Sequence, residues 1–152
     1  MHKEQSSKLD NVDQRALLVL RLAIGSLLFA PAVRNFQGGT ETIQKTVRFF
    51  QTAFENTWLP VKLVIIHAYA TPFIEALIVI WLISGCRLTA AWVFTALFTT
   101  SLAFGMSVAG RFDTAADNYT YVLICCAGLL LSRYDRLRVD ALWNRSPGPP
   151  LQ

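Results

Sequence analysis

The chain has 152 residues, 53% of them hydrophobic and 16% charged, with a mean hydropathy of +0.39, a combination that a soluble domain of this length rarely shows. The net charge is +4 and the apolarity is concentrated in four runs, so the expected partner is a lipid bilayer, and no nucleic acid is expected. Neither a phosphate-binding glycine loop nor a dinucleotide fingerprint is present in the sequence, and nucleotide hydrolysis and a nicotinamide site are left without support.

Residues 1–13 are polar without a period and suggest a flexible N-terminal tail. The first apolar run, residues 16–33, spans a membrane if Arg21 is accommodated. Acidic residues ahead of it (Glu4, Asp10, Asp13) and the poor cleavage sequence Pro31-Ala32-Val33-Arg34 favour a retained span over a signal peptide. Residues 35–62 are the one substantial stretch between spans. Within it Ile43, Val47, Phe50, Phe54 and Trp58 recur at steps of three and four, predicting an amphipathic helix on the outer membrane face, capped by Thr40 and stopped by Pro60. Such a helix either covers the mouth of the bundle or offers a docking surface to a partner.

Residues 63–84 and 88–108 are each long enough to cross about 30 Å of hydrocarbon at about 1.5 Å per residue. In the third span Ser101, Gly105 and Ala109 place a small residue at every fourth position, which permits close helix approach. Thr95, Thr99 and Thr100 can return hydrogen bonds to their own backbone. The fourth run, residues 119–131, reaches membrane length when extended back to Thr114. Asp113 or Thr114 would then cap it, with Asp117 and Asn118 in its first turn. Ser146-Pro147-Gly148-Pro149-Pro150 excludes helix, so residues 139–152 form a tail and residues 14–138 one four-helix transmembrane domain. The predicted fold is all-α: an integral membrane four-helix bundle with an extracytoplasmic amphipathic helix between its first two spans.

Lys and Arg set the expected orientation. Both termini and the turn at 85–87 share one side, with eight basic residues (Lys3, Lys8, Arg15, Arg87, Arg133, Arg136, Arg138, Arg145) against five on the other (Arg34, Lys45, Arg48, Lys62, Arg111). The excess favours both termini in the cytoplasm, for a multi-pass protein of a bacterial-type inner membrane.

Arg21 and Glu75 are the only strongly charged side chains inside the apolar runs. Each costs about 2.5–3.5 kcal/mol at bilayer depth, which favours an inward position and a partner. Their opposite signs predict a structural ion pair; snorkelling of Arg21 to the interface is the plainer alternative. In the second span His67, Thr71 and Glu75 are spaced by four along one side of the helix, Tyr69 lies between the first two, and Pro72 frees the carbonyl near residue 68. Two readings fit: a polar track from the outer surface to Glu75, or an interfacial histidine and tyrosine above an ion pair. His2 and His67 are the only histidines, and Cys86, Cys125 and Cys126 form no Cys-x-x-Cys pair. No metal centre, haem held between two histidines or redox dithiol is therefore expected.

Arg21-Leu-Ala-Ile-Gly25-Ser-Leu-Leu-Phe29, Pro72-Phe-Ile-Glu75-Ala-Leu and Ile83-Ser-Gly85-Cys-Arg87-Leu-Thr-Ala-Ala91 resemble the DoxX family (DoxX/DoxD-like) of small four-helix membrane proteins, over most of the chain between the tails. Arg21, Gly25, Glu75, Gly85 and Arg87 match the family pattern; the basic residue that ends its first helix corresponds to Arg34, after Ala32 where glycine is common. The resemblance implies a membrane subunit of a redox or electron-transfer complex with partner subunits, because related proteins include a membrane subunit of a thiosulfate:quinone oxidoreductase. A quinone would then be the cofactor, held near Arg21, His67, Tyr69 and Glu75. Such a site needs an apolar slot and a few groups able to hydrogen-bond and shuttle protons. The alternative is a structural or assembly subunit that anchors a partner complex, with Arg21 and Glu75 fixing helix register. A transporter would require oligomerisation. The chain is not expected to be an enzyme alone, and no catalytic residue or metal ligand is assigned.

Overall fold

The computed structural model describes residues 2–132, with side chains described from Gln14 onward. The basic cluster Arg133, Arg136 and Arg138 and the tail expected at 139–152 lie outside the described residues. The chain forms helices α1 (His2–Gln37), α2 (Gly39–Phe54), α3 (Val61–Ser84), α4 (Leu88–Val108) and α5 (Phe112–Leu131). Helical backbone begins at His2, within the stretch whose sequence suggests an aperiodic tail. Gln14–Gln37, Val61–Ser84, Leu88–Val108 and Phe112–Leu131 are each long and apolar enough to cross a membrane, so the expected all-α membrane bundle is the fold observed.

Burial repeats at steps of three and four on each of the first three spans. The inward positions are Leu17, Arg21, Ile24, Leu28 and Ala32 on α1, and Val64, Ala68, Thr71, Glu75, Ile78 and Leu82 on α3. On α4 they are Leu88, Trp92, Thr95, Thr99, Ala103 and Met106. This spacing keeps one face of each helix on its neighbours when helices cross at a shallow angle. The opposite faces expose Leu22, Phe29, Ile66, Phe73, Ile80, Leu97 and Leu130, which suits contact with lipid. α1 packs chiefly on α3 and α4 on α5; contacts of α3 with α4 and of α1 with α5 close the ring, and α2 lies against α3 at one end. Trp92 is fully buried, and its indole lies so close to α5 that a Cβ at Gly128 would stand 2.5 Å from the ring. Only glycine permits that approach.

Several expected boundaries move. α1 runs on to Gln37, and Gly39, at φ +56°, turns the chain directly into α2. Gly38 rather than Thr40 is the N-cap of α2, and no side-chain hydrogen bond caps it. The stripe foreseen from Ile43 to Trp58 ends early, because α2 stops at Phe54 and Trp58 lies in the link before Pro60. Arg111 is the N-cap of α5, so Asp113 and Thr114 lie inside the helix, where Asp113 still favours its positive dipole end. At the tight turn, Gly85 takes φ 67°, its N–H donates to Trp81 O at 3.1 Å, and Trp81 Nε1 donates to Cys86 O at 2.7 Å. The helix end is closed by a left-handed residue in the usual way.

Candidate functional site

The last four carbonyls of a helix have no donors within it. At the end of α3, Trp81 O accepts from the Gly85 N–H and the Ser84 hydroxyl. Leu82 O and Ile83 O accept from Arg21 Nε and Nη2, both at 2.8 Å. Arg21 is only 6% exposed, so its head is enclosed by protein at the end of α3. The fixed fork of the guanidinium fits two successive carbonyls, and its charge sits at the negative end of the α3 dipole. Arg21 thus caps α3 from a neighbouring helix.

Glu75 precedes Leu82 by seven residues on α3, a separation of about 10 Å along the axis. Among the described residues no direct contact joins Glu75 to Arg21, the pair expected from sequence. Glu75 is 7% exposed and its Oε2 has no hydrogen-bond partner among the described residues. Membrane depth alone favours the pair; the carbonyls at the α3 terminus offer the guanidinium acceptors at another level. On the same inner seam, the Thr71 hydroxyl donates to His67 O at 2.9 Å, Thr95 to Ala91 O at 2.8 Å, and Thr99 to Thr95 O at 2.9 Å. Thr71 therefore serves His67 O rather than the Ala68 carbonyl that Pro72 cannot reach. Counted from Cys86 in the turn, Glu75 lies eleven residues before it and Thr95 and Thr99 nine and thirteen after it, so the antiparallel α3 and α4 bring them to a common level.

A cavity of about 410 Å³ opens at the α2 end of the bundle, between α2, the link to α3, α3 and α4. Its walls are Phe50, Phe54, Leu59, Leu63, Val64, Ile66, His67, Ala70, Ser101, Leu102, Phe104, Gly105 and Met106. Of the two polar residues there, Ser101 spends its hydroxyl on Phe98 O at 2.7 Å. His67 Nε2 is buried with no hydrogen-bond partner among the described residues, and its ring lies 6.2 Å from that of Phe98. A Cβ at Gly105 would touch the Phe54 ring at 3.5 Å, so the small residue makes room for the aromatic wall supplied by α2. Trp58 meets Phe104 edge-on at the rim, 6.3 Å between centroids.

Of the four residues that sequence associates with a ligand, His67 alone lines this cavity. Tyr69 is 46% exposed on the outside of the bundle, Glu75 lies two turns deeper along α3, and Arg21 is committed at the far end. The chain matches no protein-family model, no curated protein and no solved structure. Sequence reasoning missed the cavity and the Trp92–Gly128 contact. A signal for the first existed: the small residues of α4 at four-residue spacing, Ser101 and Gly105, face the aromatic stripe of α2. Nothing in the sequence pairs Gly128 with Trp92, because that depends on the register of α4 against α5.

Proposed function

We propose that the chain is a membrane subunit of a redox complex, and that its cavity at the α2 end holds the head of a quinone-class molecule. The observation that carries this reading is the buried, unpartnered Nε2 of His67 on the wall of an otherwise apolar cavity of about 410 Å³. A buried ring nitrogen without a partner costs about 1–3 kcal/mol, which a ligand carbonyl or hydroxyl would recover. The volume falls within the range of about 300–1,000 Å³ common for small-molecule sites, and Phe50, Phe54 and Phe104 present rings to a flat conjugated head. A quinone fits His67; Arg21, Tyr69 and Glu75 are not among the residues that line the cavity. The resemblance to the DoxX family supports the redox setting and the partner subunits. The excess of Lys and Arg on the side of the termini supports a bacterial-type inner membrane with both termini in the cytoplasm, which puts the cavity in the outer leaflet.

Protein purified in mild detergent, with its bound lipids extracted and identified by mass spectrometry, tests the reading. Quinone is expected in the wild type and in a Tyr69→Phe variant, and its loss is expected in Gly105→Leu and His67→Phe, which crowd the cavity or remove its hydrogen-bonding atom. Quinone absent from the wild type, or retained equally in all variants, overturns the site and favours the anchoring role, for which exposed Trp58 and Phe49 at the α2 end are the natural contact surface.

A further inference from the structure

We infer that Glu75 is a proton-exchange site inside the bundle, distinct from the cavity and independent of its occupant. An ionised carboxylate is a pure acceptor with about four lone-pair positions to fill, whereas the neutral acid carries one O–H to donate. The surroundings of Glu75 suit the second form. Its Oε2 accepts no hydrogen bond among the described residues, and only 7% of the residue is exposed, inside helices of membrane length. The hydroxyls that share its seam or level, Thr71, Thr95 and Thr99, have already given their hydrogens to backbone carbonyls. What they still present is oxygen lone pairs, which complement a donor and not an anion.

Among the described residues, the charges near Glu75 do not supply a counter-ion. Arg21 on α1 is engaged by carbonyls about 10 Å away. His67 lies eight residues back on α3, Tyr121 and Cys125 are the inward titratable groups of α5, and α4 carries none. On α2 the charged residues Glu41, Lys45 and Arg48 are exposed, and the first two pair with each other at 2.8 Å. A carboxyl in this position binds a proton taken from water, becoming the neutral acid, and returns it as the carboxylate re-forms. Nothing else is consumed.

The test uses the full chain in lipid vesicles. Dicyclohexylcarbodiimide reacts with protonated carboxyls in apolar surroundings, and peptide mass spectrometry locates the adduct. Labelling is expected at Glu75 and not at exposed Glu41 or Glu55, decreasing as the pH is raised and abolished in Glu75→Gln. Infrared spectra should show a protonated-carboxyl band that shifts on exchange into heavy water, and Thr95→Val, which keeps the carboxyl and removes an acceptor, should move the band. An unlabelled Glu75 with a pH-invariant carboxylate signal overturns the proposal, as does an acid band that never exchanges with heavy water.

Discussion

Replacing Arg21 by methionine leaves Leu82 O and Ile83 O without the two donors that reach them at 2.8 Å, while the methionine stem keeps most of the apolar contact. Each orphaned carbonyl costs about 1–3 kcal/mol, so Arg21→Met should destabilise the bundle by about 2–6 kcal/mol. Arg21→Lys, which keeps the charge but only one contact at a time, should lose roughly half of that. Addition of Glu75→Gln discriminates between two ways of balancing the charge. A direct pair would make the single losses cost about 3–5 kcal/mol and the double substitution less than their sum. At about 10 Å and an effective dielectric constant of about 20, the coupling is at most about 1.7 kcal/mol for two full charges, and it falls towards zero if Glu75 holds a proton. A coupling below about 1 kcal/mol is therefore expected. Unfolding in mixed micelles, titrated with dodecyl sulfate and followed by circular dichroism, measures all four corners of the cycle. An Arg21→Met cost under about 1 kcal/mol, or near-complete rescue by Glu75→Gln, would refute the capping argument.

Three further outcomes follow from the packing. Gly128→Ala puts a methyl 2.5 Å from the Trp92 ring, so it should cost about 1–3 kcal/mol in the same assay, and Trp92→Phe in that background should recover part of the loss. A Cβ at Gly25 would meet nothing within 4 Å, so Gly25→Ala should leave the stability of the isolated chain unchanged or raise it by up to about 1 kcal/mol; a marked loss would refute this. Glu41→Gln breaks an exposed pair one turn apart on α2, and the melting transition should move by less than about 0.5 kcal/mol equivalent.

Helix existence and inward face were legible in the sequence because both are local. Length and apolarity select membrane spans, and α4 begins and ends at the expected residues 88 and 108. The steps of three and four that bury Leu17, Arg21 and Ile24 or Ala68, Thr71 and Glu75 follow from 3.6 residues per turn. Caps were less legible: Thr40, Asp113 and Thr114 have capping chemistry, but the helices that contain them start one or two residues earlier, where backbone turns and tertiary contacts set the boundary. Polar partners within a helix were legible, since Thr95, Thr99 and Thr100 bond their own backbone as expected, but partners across helices were not. Arg21 and Glu75 have opposite signs, yet only the placement of α1 against the end of α3 decides that two backbone carbonyls, rather than the carboxylate, lie within reach of the guanidinium. The same holds for the seat of Trp92 on Gly128, whereas the cavity beside His67 left a partial signal in the small residues of α4 and the aromatic stripe of α2. Periodicity along one helix says which residues turn inward; which of them meet is decided by the register and angle between helices, and those arise from the packing of all the inner faces at once.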